Sequence, residues 1–363
     1  MFLATYATAQ FPLQQAAEEA RQGHYREARK LLQGVPEPGD LNQQIAFHRL
    51  KAAIATGLNE PAAALHEIKT ALALAPGNPN LVLAVAVAEL RAGKTEDALS
   101  HAQTAPESAT REALLGDIQE KRGNVPQAIA AYEAAVRLAP DQERYALALG
   151  LELTEHQDFA KAVESLQSSA VRFPKSAKIQ ALLGIAQYAQ GYPEDAIGSL
   201  ERAIAADPKF PGAYGVLAKI VLQSSAAPPP RVVQDLCSWN RVVCGAVQLR
   251  IARQRGDSAL QARSLAELKL AGPRDPIGRC ELARAYEWTG ELQQARREME
   301  ACVELDPSPQ NHYRLGLLYR KLGLTDSAQK EMAQRNATLQ RMSEQTALGL
   351  QALQALGGLS TEP

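Results

Sequence analysis

The chain has 363 residues, a formal net charge of −1, 46% apolar residues and only 5% aromatics. That length accommodates two or three globular domains or one long repeat array, and the balance of 39 basic against 40 acidic residues, interleaved along the chain, excludes the concentrated positive charge that nucleic-acid binding requires. Ala and Leu dominate the apolar content and suit closely packed helices, β-branched runs bounded by turn residues are nearly absent, and no stretch approaches the roughly 18 consecutive apolar residues of a membrane-spanning helix.

From the N-terminus, Met1–Ala9 reads MFLATYATA and ends in the small-x-small pattern Ala7-Thr8-Ala9 of a secretory signal. It lacks a basic n-region, since the first basic residue is Arg21. Two readings stay open, a truncated export signal or the start of a helix, and with them an exported (periplasmic or secreted) or a cytoplasmic location. Next come three loosely marked units: Gly23, Tyr25 and Ala28; then Asn59, Ala64, Ile68, Ala71 and Pro76; then Gly93 with Ala98. The densest apolar stretch, Leu81–Leu90, lies just before Gly93 and contains Glu89.

From residue 109 the pattern becomes strict. The turn residues Gly123, Gln157 and Gly191 are spaced by 34, as are the helix-ending prolines Pro140, Pro174 and Pro208. Ala128, Ala162 and Ala196 keep the same period, and so do the pairs Leu115-Gly116, Leu149-Gly150 and Leu183-Gly184. Internal periodicity of this length marks a repeat array. Each unit reads as two antiparallel helices, the first about Ala109 to Lys121 and the second about Val125 to Leu138, stopped where proline cannot continue a helix. Gly116 and Ala128 are small where the two helices press together, and Tyr132, Leu166 and Leu200 fill the remaining space.

After Pro208 the register breaks at Ser224-Ser225-Ala226-Ala227-Pro228-Pro229-Pro230. Either a shortened unit is followed by a stiff connector, or 223–230 joins two sub-arrays. These would be 1–222, with its best repeats at 109–142, 143–176 and 177–210, and 231–363, with its best repeats at 276–308 and 309–342. Gly256 marks a degenerate unit. The motif returns with Leu282-Ala283, Tyr286, Gly290, Ala295, Met299 and Pro307, then Leu315-Gly316, Tyr319, Gly323, Ala328 and Met332. Ala333–Leu356 reads as a capping helix with a wettable face, ended by Gly357-Gly358 and followed by a disordered Ser360–Pro363. The four cysteines permit disulfides in an exported protein; the alternative is four free, buried, small hydrophobes. Cys237 and Cys244 would stand about 10 Å apart along one helix, so they pair only if the chain turns at Ser238-Trp239-Asn240. Cys280 and Cys302 sit in another repeat.

The run Ala113-Leu114-Leu115-Gly116, Gly123-Asn124, Ala128, Tyr132, Ala135, Pro140 resembles the tetratricopeptide repeat (TPR) almost position for position. The resemblance implies an all-α fold: an α-solenoid, coiled as a right-handed superhelix, of about nine to ten helical hairpins with a C-terminal capping helix. It implies a non-catalytic scaffold or adaptor that binds a protein or peptide, or an accessory or regulatory subunit whose enzyme or cell-envelope or secretion assembly is carried by a separate chain.

Catalytic chemistry is absent from the sequence. The six histidines are scattered without metal-ligand spacing, the cysteines form no C-x-x-C pair, and no Walker or G-x-G-x-x-G loop occurs. No catalytic residue, cofactor or metal is therefore expected. Carboxylate pairs such as Glu18-Glu19 and Glu194-Asp195 read as solvated helix surface. In TPR proteins the first helix of each unit lines a concave groove, and the resemblance places Leu83, Val87 and Leu90, then Leu147 and Leu151, Ile185 and Tyr188, Arg284 and Trp288, and Tyr313 and Leu317 on that face. These residues are largely apolar, unlike the Lys, Asn and Arg of chaperone-tail clamps, and suit a hydrophobic or amphipathic segment. The alternative is a narrow groove in which these side chains pack on one another.

Overall fold

The computed structural model describes residues 3–224 and 228–340, with side chains from Pro12 onward. Among the described residues every regular element is an α-helix. In chain order these are α1 (Leu3–Arg21), α2 (Tyr25–Leu32), α3 (Leu41–Gly57), α4 (Pro61–Leu74), α5 (Pro79–Arg91), α6 (Thr95–Thr104), α7 (Ala109–Lys121), α8 (Val125–Leu138), α9 (Glu143–Glu155), α10 (Phe159–Arg172), α11 (Ala177–Gln190), α12 (Pro193–Ala206), α13 (Pro211–Gln223), α14 (Pro230–Trp239), α15 (Arg241–Arg255), α16 (Ser258–Leu268), α17 (Pro276–Thr289), α18 (Leu292–Leu305), α19 (Pro309–Lys321) and α20 (Thr325–Leu339). They form ten successive hairpins, the upper figure of the expected nine to ten. The chain separates into two compact units, one ending at Tyr145 and one beginning at Ala146. The Ala333–Leu356 helix is seen as far as the end of α20; its remainder, Gly357-Gly358 and the terminal tail lie outside the described residues, as do Met1 and Phe2 of the candidate signal.

The repeat markers have direct physical roles. The first helices are N-capped by Asn78, Ser108, Ser176, Asp275 and Ser308, whose side chains accept backbone N–H groups of the first turn. The turn residue takes a left-handed conformation in each well-formed hairpin, including the two non-glycines Asn59 (φ 59°) and Gln157 (φ 67°). The glycine on the first helix is a close-approach site. A Cβ on Gly116 would stand 2.5 Å from the Tyr132 ring, one on Gly150 2.5 Å from Leu166, and one on Gly184 2.9 Å from Leu200. Burying each such large side chain contributes about 1.5–3 kcal/mol, which requires that the opposing Cβ be missing.

A contact between a basic and an acidic side chain recurs between the two helices of a hairpin at a fixed separation of 19 residues. His48 Nδ1 meets Glu67 at 2.7 Å, Arg279 donates to Glu298 at 2.6 Å, and His312 Nδ1 meets Glu331 at 2.6 Å. Each basic partner stands eleven residues before its turn residue, Asn59, Gly290 or Gly323. The histidines that look scattered in sequence thus sit mostly at structural positions: His24, His101 and His156 also face a glutamate. Glu89, the acid inside the densest apolar stretch, is fully buried and is met by Lys69 at 2.8 Å and His101 at 2.7 Å.

The second unit departs from the pattern at α13. This helix is apolar around nearly its whole circumference and buried along most of its length. Its C-terminal carbonyls, which no following turn of helix satisfies, receive two arginines, one half-buried and one buried: Arg250 donates to Val221 O (2.6 Å) and Ser224 O, and Arg284 donates to Leu222 O (3.1 Å). Glu281 accepts from Arg284 and feels the charge of both guanidiniums. Burial pushes its carboxyl up, against the pull of Arg284 and Arg250.

The cysteines are paired, which corrects the reading of them as free core residues. Cys237 is bonded to Cys244 and Cys280 to Cys302. The first pair exists because the chain breaks at Asn240, which ends α14 and N-caps α15, accepting from Val242 N (2.8 Å) and Val243 N (3.1 Å). The second ties α17 to α18 inside their shared core, beside Met299.

Candidate binding site

The structure places the first-helix residues in three settings. Leu83, Leu147, Ile185 and Arg284 are buried by the chain's own packing. Val87, Leu90, Leu151, Tyr188 and Leu317 are half-buried, while Trp288 and Tyr313 are 38% and 42% exposed. Along α11 the face is filled: Ile185 is 0% exposed, and Tyr188 donates to Gln223 of α13. Burial pushes the Tyr188 hydroxyl up to about 12. Arg284 serves the C-terminus of α13 and its neighbour Glu281.

Among the described residues, each unit has an open cleft of about 300 Å³. In the first unit α3, α4 and α5 enclose about 320 Å³. Its wall is Ala52, Ala64, Ile68, Ala84 and Val87, and Arg49 and Arg91 stand at its mouth. In the second unit α15, α16 and α17 enclose about 300 Å³. Leu249, Ala262, Leu265 and Ala285 form an apolar lining, Trp288 is an aromatic wall, and Arg253 lies over the Trp288 ring with Cζ 3.9 Å from its centroid. Both clefts sit where two successive first helices flank one second helix. The small residues at these corners, Ala52 and Ala64 in one and Ala262 and Ala285 in the other, leave space that no bulky side chain fills.

Trp288 belongs to the sequence-derived face; Arg253 does not. The repeat register carries the missing signal. Arg253 stands three residues before Gly256 and Trp288 two before Gly290, so the two occupy neighbouring rows on successive first helices.

Models of the tetratricopeptide repeat match residues 51–113, 112–143, 147–211 and 278–309, a little over half of the chain. The chain belongs to the tetratricopeptide repeat family. Its fold is that of a protein–protein interaction scaffold. No curated protein matches it in sequence. Among solved structures it is similar to YrrB, described as a TPR protein with an unusual peptide-binding site (18% identity, 52% of this chain and 95% of that one, TM-score 0.38). It is also similar to the C-terminal part of a TPR protein from Cytophaga hutchinsonii (18% identity, 70% and 94%, TM-score 0.46). A third likeness is to the APC/C hetero-tetramer Cut9–Hcn1 (13% identity, 96% and 84%, TM-score 0.43).

Proposed function

We propose that this TPR protein is a non-catalytic scaffold that captures a peptide or amphipathic segment of a partner protein on apolar clefts flanked by its first helices. The observation that carries this reading is the α15–α17 cleft, in which an apolar lining and a partly exposed tryptophan are left uncovered among the described residues. Recognition is expected at Val87 and Leu90 in the first unit and at Trp288 in the second, with Leu151, Tyr313 and Leu317 contributing from their accessible edges. The buried Leu83, Leu147 and Ile185 act from behind as packing. Selection of a random displayed-peptide library on the intact protein tests the reading. Peptides should enrich, and their synthetic forms should lose binding to Val87→Glu or Trp288→Glu at unchanged melting temperature. Failure of any peptide to enrich, or full binding to both variants, contradicts it.

The two disulfides favour a second, compatible reading: the chain works in an oxidising compartment, as an exported scaffold or accessory subunit of an envelope or secretion assembly. Protein isolated from its natural host without reductant, with thiols blocked at lysis, should carry no free cysteine. Four alkylated cysteines would place it in a reducing compartment.

A further inference from the structure

The surface around Arg253 departs from the charge balance of the chain. α15 carries Arg241, Arg250, Arg253 and Arg255 and no acidic residue, in a protein of net charge −1. Arg241 is engaged by Glu267 through two 2.9 Å bonds, and Arg250 is spent on the carbonyls at the end of α13. Arg253 is different. Its guanidinium sits over the Trp288 ring, with Cζ 3.9 Å from the centroid, and its donors meet no acceptor among the described residues. Stacking on an indole fixes the plane of a guanidinium while leaving its N–H edge open, and a planar carboxylate is the acceptor that matches that fork.

The neighbouring carboxylates are already occupied. Glu287 is bonded by Lys321, Glu291 accepts from Thr289 Oγ1 at 2.9 Å, and Asp257 caps α16 by accepting from Leu260 N at 2.9 Å. The cleft that Arg253 shares is mostly apolar, lined by Leu249, Leu265 and Trp288 with Ser258, Gln261 and Thr289 as its polar members. A ligand that satisfies both features has a carboxylate next to a bulky apolar side chain. A nucleic-acid strand fits less well, because the lining is apolar rather than a track of phosphate donors.

We infer that the α15–α17 cleft receives an acidic segment of a partner protein, with an Asp or Glu carboxylate on Arg253 and an adjacent apolar side chain beneath Trp288. This inference rests on the scaffold reading and names the chemistry of its partner.

The test uses the full oxidised chain carrying Trp239→Phe, which leaves Trp288 as its single tryptophan. Peptides enriched from a random displayed library are synthesised and titrated while Trp288 fluorescence is followed. The expected consensus places Asp or Glu within a few residues of Leu, Ile or Phe. Binding should shift the Trp288 emission and should weaken about tenfold or more with Arg253→Gln, at unchanged melting temperature. Replacing the peptide acid by its amide should weaken binding by the same factor, and the two changes should not add. If peptides bind but show no acidic preference, leave Trp288 emission unmoved and ignore Arg253→Gln, the acidic-cleft inference falls while the scaffold reading stands. If none enrich, both fall. If a single-stranded oligodeoxynucleotide shifts Trp288 emission at lower concentration than the peptides do, a nucleic acid replaces the acidic segment as the ligand.

Discussion

Within the second unit, α11–α12 and α15–α16 are both helical hairpins, yet they end differently. In α11–α12 every repeat marker is present: Gly184 receives Leu200, Ala196 is fully buried, and Gly191 turns left-handed. There the first-helix face is closed, with Ile185 buried and Tyr188 bonded to α13. In α15–α16 the glycine of close approach is displaced to Gly245, which faces Ser264 O, the Arg241–Glu267 pair joins the two helices, and the Cys237–Cys244 bond ties α15 back to α14. That hairpin borders the open cleft. Within this unit, the most regular repeat is self-satisfied, and open space lies beside the hairpin whose motif degenerates. Departures from local rules are where function is to be sought.

The largest effect that separates the two regions is a charge placed on each. Ile185→Glu buries an unpaired carboxylate and should cost about 4 kcal/mol or more, seen as loss of cooperative thermal unfolding of the second unit. Trp288→Glu, on an exposed position, should change stability by less than about 1 kcal/mol while removing peptide binding. Equal destabilisation by the two would mean that the α15–α17 cleft is as closed as α11.

Reduction comes next. Each disulfide should contribute about 2–4 kcal/mol. Hydrogen exchange after reduction should rise across α14–α18 and stay unchanged in α11–α12. A uniform rise would show that the cross-links hold the whole unit rather than its irregular part.

A smaller pair of substitutions has opposite signs. Gly184→Ala must displace Leu200 and crowd the Ala196 carbonyl, at a cost of about 1–3 kcal/mol. Gly215→Ala on α13 meets open space and should gain about 0.5–1 kcal/mol from helix propensity. Denaturant midpoints of the two variants decide this, and a loss at Gly215 would contradict the packing described for α13.

The smallest effect lies in the first unit. At Glu67 burial pushes the carboxyl up, but Lys51 and His48 outweigh it and hold the group below its ordinary value. A depressed carboxyl contributes stability that is present above its unfolded pKa and is lost as pH falls through its folded one. Lys51→Met should therefore raise the acid-unfolding midpoint, at a cost of about 1 kcal/mol or less at neutral pH. An unmoved midpoint would remove Lys51 from the account.

Much of the fold was legible in the sequence because its punctuation is chemical. The expected α7 and α8 coincide with the observed Ala109–Lys121 and Val125–Leu138, since a serine cap, a left-handed glycine and a terminal proline each act within a few residues. Less of the site was legible. The resemblance to the repeat family assigns Leu83, Leu147, Ile185 and Arg284 to the first-helix face but does not say what covers that face, and here it is the next helix or a carbonyl to be capped. The Cys237–Cys244 pairing depended on whether the chain breaks at Asn240, a single residue that caps two helices in succession. Arg253 escaped notice because its partner Trp288 lies in the following repeat, where only the register joins them.

The central claim, that a partner is held where the repeat degenerates, is tested most directly by photo-crosslinking. A library-selected peptide carrying a photoreactive apolar side chain is bound to the intact oxidised protein, irradiated, and its attachment points are mapped by mass spectrometry. The account predicts adducts on α15–α17, concentrated at Leu265, Ala285 and Trp288. Adducts confined to α11–α12, or absent from α15–α17, would contradict it.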